Sequence, residues 1–172
     1  CPQLCGLLMH GLLEALQHSG LPRTDYRIVR ISLDPAETPA DALARRSADL
    51  AYASFLAAGA PAATPPPALD LRLLTGDEAS LRTLARRAGV HYQRTAFADD
   101  PAARYAHAAA VIVVTPEGRI SSYQTGVQFD PGAIRSFKSC IVPPLNRNAC
   151  CSASPAVDAH PTNPPEVRLA KV

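Results

Sequence analysis

Tryptophan is missing from this chain of 172 residues, methionine occurs once, and aromatic side chains make up 5 % of it. Charge is sparse as well: Asp, Glu, Lys and Arg total 19 %, and the net charge is +2. With no basic stripe and no aromatics interleaved in one, the composition argues against nucleic acid as a partner. No apolar run approaches the ~20 residues that a membrane-spanning helix needs, and no glycine-rich loop of the phosphate-cradling type occurs. The five cysteines fall in two groups, Cys1 with Cys5 and Cys140 with Cys150 and Cys151. An odd, clustered set is not the regular framework of a small disulfide scaffold. Position 1 is Cys and not Met, so a segment upstream is expected to be missing or removed, and the lack of a signal or anchor here says nothing about the precursor. What is present is 47 % hydrophobic residues, enough to build a real core in one domain of ordinary size.

The hydrophobic pattern alternates helix and strand. Leu4, Leu8, Leu12, Ala15 and Leu16 keep helical spacing from a start near Pro2 to a stop at Gly20. Residues 26–33, rich in β-branched and aromatic types, predict a buried strand. Thr38-Pro39 opens a second helix with Leu43, Leu50, Ala51 and Phe55 on one face. Four prolines among alanines make residues 57–68 a loop or stiff linker. A short strand over 69–75 follows, then a helix carrying Leu81, Leu84, Ala85 and Ala88 with Asp77 as N-cap. Residues 90–94 form another short strand. Residues 110–114 and 120–124 flank Thr115-Pro116-Glu117-Gly118-Arg119, a hairpin signal. Asp130-Pro131 begins a last helical turn or two, to about Phe137. The order is that of an α/β layer fold, residues 1–137 forming the domain. Residues 138–172, with six prolines, three cysteines and no sustained period, read as an irregular tail.

The chemistry concentrates at the start. Cys1-Pro2-Gln3-Leu4-Cys5 sets two cysteines four residues apart where a helix begins. In a helix, i and i+4 share a face, and the unpaired N–H groups and dipole of that end favour thiolate over thiol. Such a pair serves thiol–disulfide exchange or the binding of a soft metal; two thiolates suit Cu(I), and one imidazole in addition accommodates Cu(II). Zinc usually wants four ligands, and no clear fourth is offered. His107, just before an apolar strand, sits where a loop residue can project toward a helix N-terminus. His10, one turn past Cys5, reads as a solvated helix histidine, and His18, His91 and His160 as surface residues. Asp34 ends the first strand; together with Thr38 it reads as shaping a turn and capping the next helix, with a supporting carboxylate near the metal as the other reading.

Four segments in order, Cys1–Leu8 (CPQLCGLL), Ile31–Pro39 (ISLDPAETP), Leu73–Ser80 (LLTGDEAS) and Tyr105–Gly118 (YAHAAAVIVVTPEG), resemble the SCO/SenC family over roughly residues 1–135. The resemblance implies a thioredoxin-like fold, a central sheet flanked by helices, and a copper chaperone of cytochrome c oxidase assembly. It also implies that both cysteines of the motif and one distant histidine bind copper, which map to Cys1, Cys5 and His107. The implied partner is an apo cytochrome c oxidase subunit or another copper protein. The implied setting is the periplasm, anchored to the inner membrane, or the mitochondrial intermembrane space in a eukaryote, with the anchor in the part before Cys1.

Two departures from that family stand out. Its core strand is expected just before the first cysteine, so this chain is expected to lack it, leaving strand edges unpaired and apolar surface uncovered. A lipidated Cys1 is the competing reading, and it would consume one of the two thiols. The tail also loses the family's amphipathic helix from Ser139 onward, by a shifted frame near Phe137 or a divergent extension. A thiol–disulfide reductase using Cys1 and Cys5 is the alternative function, and a poorly folding fragment the third.

Overall fold

The first helix, α1 (Leu4–Ser19), buries Met9, Leu12, Leu13, Ala15 and Leu16. It stops at Gly20, whose φ of 72° is the left-handed conformation that glycine adopts without steric cost. Residues 4–59, 66–95, 105–141 and 170–171 are the ones the computed structural model describes. Cys1, Cys150, Cys151 and His160 lie outside them, as do residues 60–65 of the proline-rich loop and residues 142–169 of the tail.

Strand β1 (Ile28–Ile31) is shorter than the sequence predicts, and Val29 is exposed rather than buried. Helix α2 (Pro39–Ala58) starts as expected at Thr38. Its hydroxyl accepts the Asp41 N–H, the Asp41 carboxylate accepts the Thr38 N–H, and Pro39 occupies the first turn. The predicted inner face of α2 is corrected. Leu43 and Phe55 are exposed, and the buried positions are Ala42, Asp49 and Ala53. Small side chains let α2 approach strand β2 (Leu71–Thr75), and polar groups on that face find partners there: Arg46 Nε donates to the Leu71 carbonyl and Asp49 pairs with Arg30 of β1.

Strand β2 runs parallel to β1, from Ile28 opposite Leu71 to Ile31 opposite Leu74, with α2 as the crossover. Helix α3 (Glu78–Arg87) is capped by Asp77, whose carboxylate accepts the Ser80 N–H, and it buries Leu81 and Ala85. Strand β3 (Tyr92–Arg94) pairs antiparallel with β4 (Tyr105–His107), and β5 (Ala110–Val114) with β6 (Ile120–Thr125) across the expected turn. There the Thr115 N–H donates to the Arg119 carbonyl and Gly118 takes a φ of 80°. Helix α4 (Pro131–Ile141) is longer than predicted; it packs on α1 and buries Ile134, and Pro143 and Pro144 follow its end. Strand β7 (Ala170–Lys171) adds two antiparallel residues to β2.

The architecture is α/β, as predicted. Among the described residues its strands form three small sheets, β1-β2-β7, β3-β4 and β5-β6, and this set of small sheets and helices is consistent with the expected thioredoxin-like fold. Helices α1, α2 and α4 and the inner face of β2 share a core, in which Leu71 is entirely buried and Leu73 nearly so. Fully burying one such leucine contributes about 1.5–3 kcal/mol, so β2 is the sheet's strongest attachment to the helices.

Candidate metal centre

Cys5 is the second residue of α1, inside the first turn, where backbone N–H groups have no partner within the helix. The structure brings it to His107, the last residue of β4: Sγ and Nε2 are 3.8 Å apart across 102 positions of sequence. His107 is thus on a strand of its own and not on a loop, a correction to the sequence reading. Register places it opposite Tyr92. Its other ring nitrogen, Nδ1, is 2.9 Å from the Ala108 carbonyl oxygen. A carbonyl can only accept, so Nδ1 carries a proton. In the neutral ring Nε2 is therefore the bare nitrogen facing the sulfur.

Each group changes the other's proton affinity. The hydrogen bond with His107 holds the Cys5 thiol below the usual thiol range, against burial, which alone would raise it. The positive charge of Arg30 acts in the same direction. His107 is raised above the ordinary imidazole range, first by its bond with Cys5 and further by that with Ala108, again against burial. Arg30 is itself fixed: its guanidinium meets Asp49 of α2 at 2.9 Å, with side chains 17 % and 7 % exposed.

The donor set suits a soft ion. A thiolate sulfur and an imidazole nitrogen are the donor types that Cu(I) prefers, and Cys5 and His107 would supply one of each. No cluster of three His, Cys, Asp or Glu side chains able to hold a metal occurs among the described residues. Cys1, the third donor that the sequence reading names, lies outside them.

The SCO1/SenC family model matches residues 1–139. The chain belongs to the SCO1/SenC family. That family is known for copper chaperoning and redox roles, generally binds copper, and is associated with copper delivery to cytochrome c oxidase. No curated protein and no solved structure matches the chain.

The remaining candidates separate cleanly on this SCO1/SenC scaffold. His10 is exposed and stacks on Tyr52, ring centroids 4.0 Å apart. His18 and His91 are exposed. Asp34 shapes its turn, accepting the Ala36 N–H at 2.9 Å, and Thr38 caps α2. Sequence reasoning missed Arg30. The signal for Arg30 was present, a lone cation inside the apolar run Ile28-Val29-Arg30-Ile31.

Proposed function

We propose that this protein is a copper carrier. Cys1 and Cys5, as thiolates, and His107, through Nε2, hold one copper ion and pass it to an apo cytochrome c oxidase subunit, or to another copper protein, during assembly. The carrier works in the periplasm from an anchor on the inner membrane, or in the mitochondrial intermembrane space in a eukaryote. The observation that supports this reading most is the approach of Cys5 Sγ to His107 Nε2 at 3.8 Å, between a helix N-terminus and a strand end that nothing local brings together. Lowered thiol proton affinity supports it too, since the thiolate is the form that binds metal.

Competition for Cu(I) against a chromophoric chelator tests it. His107→Ala should weaken binding by about 10–100-fold while leaving dithiol redox cycling largely intact. Equal affinity in the variant and the parent protein overturns the assignment of His107.

A second reading, thiol–disulfide reductase, has one observation in its favour, the same activated Cys5. One thiolate attacks a partner disulfide and forms a mixed disulfide; the other cysteine resolves it. The Cys1–Cys5 pair is thereby oxidised by two electrons as the partner is reduced. Collapse of that activity in His107→Ala, with copper affinity retained, selects this reading over the carrier.

A further inference from the structure

The imidazole of the proposed site is carried by a slender element. Strands β3 and β4 are three residues each and hydrogen-bond to no third strand among the described residues. Two-stranded ribbons of this size are marginal in water. The segment joining them is ten residues long, so it cannot dictate register as a two-residue turn would. Register nevertheless decides whether a site exists. A slip by one residue turns every side chain of β4 to the opposite face, and His107 with it.

Register pairs Tyr92 directly with His107, and Arg94 with Tyr105. Tyr105 and His107, two apart on β4, share a face, and Tyr92 shares it from across the ladder. These three are half-buried, whereas Gln93 and Ala106 on the opposite face are exposed. Tyr92 also reaches diagonally to Tyr105: the ring centroids are 5.8 Å apart and the planes meet at 64°, an edge-to-face contact. The phenol ring therefore contacts one side chain of β4 while standing directly opposite another, and only in the observed register can it do both.

We infer that Tyr92, braced by Tyr105, is the positioning residue for His107: it fixes the β3–β4 register that turns the imidazole toward Cys5. This rests on the copper-carrier reading for its purpose, but not for its test. In the metal-free full chain, the nuclear Overhauser contact between the His107 ring and the Cys5 Hβ protons reports the placement itself. It should vanish in Tyr92→Ala and return in Tyr92→Phe, which keeps the ring. A contact of parental intensity in Tyr92→Ala overturns the inference.

Cu(I) competition provides the second arm. Tyr92→Ala should lower affinity about tenfold, as loss of an outer-shell support does. Combined with His107→Ala it should lower affinity no further than His107→Ala alone, because Tyr92 acts through that imidazole. Additive losses overturn the inference. Should Tyr92→Ala fail to fold, Tyr92→Val removes the ring with strand propensity kept; if both unfold and Tyr92→Phe does not, Tyr92 is structural only and the inference fails. Parental Cu(I) affinity in His107→Ala is the separate failure of the copper reading, and leaves the resonance contact to judge Tyr92.

Discussion

Cys5 and His107 move each other's proton affinity in opposite directions, the thiol down and the imidazole up, through one hydrogen bond. The thiolate is the reactive form. Alkylation of Cys5 by iodoacetamide in the metal-free protein should therefore reach its plateau at lower pH than for an ordinary cysteine. Site-resolved mass spectrometry at Cys5 follows this. The sign is fixed by the first cause: His107→Ala removes the bond that favours thiolate and leaves burial, which opposes it, so the profile should move to higher pH. A profile unmoved by that substitution would place the activation elsewhere, Arg30 being a cation among the described residues that acts in the same direction. At this scale Cys5 and His107, which the structure brings together, were legible because both belong to short motifs, whereas the groups around them were not. Arg30 is a charge in a strand core, understood only once Asp49 is seen to meet it. Tyr92 has no sequence neighbour that announces its role.

At the scale of elements, α1 has to be set precisely, since it carries the sulfur. Gly11 fixes how closely it approaches the segment between β6 and α4. A Cβ at that position would be driven into the Val127 carbonyl oxygen, a backbone atom that cannot rotate away. Gly11→Ala gains helix propensity, worth about 1 kcal/mol, yet should destabilise by roughly 1–3 kcal/mol because overpacking dominates. Thermal unfolding with a lowered Tm checks this; a raised Tm would show that α1 can slide. Helix starts were legible in advance, since Thr38 and Asp77 cap by local bonds that residue type alone announces. The inner face of α2 was not. In an alanine-rich helix the hydrophobic period is faint, and the sheet-facing positions include Arg46 and Asp49, whose partners lie on strands far along the chain.

For the molecule as a whole, stability concentrates where α1, α2 and α4 meet the β1–β2 pair. Leu71, wholly buried, is at the centre of that packing. Leu71→Ala should cost about 2–5 kcal/mol, lowering Tm by on the order of 10 °C; urea titration should show a reduced midpoint with its slope unchanged. A slope that fell as well would mean that the helical layer and the β5–β6 hairpin unfold separately. The α/β class followed from the alternation of periods along the chain. The grouping of strands into three sheets did not, because it depends on which edges find partners, and periodicity carries no information on pairing.

Sulfur and imidazole stand 102 positions apart, which imposes an order in time. At roughly 5–20 residues per second, a ribosome delivers the thiol end about 5–20 s before the histidine. On the copper-carrier reading, an ion that met the chain before it folded would be held without its nitrogen donor. On that reading, grip depends on a contact that only the folded chain makes, so strong binding would report completed folding.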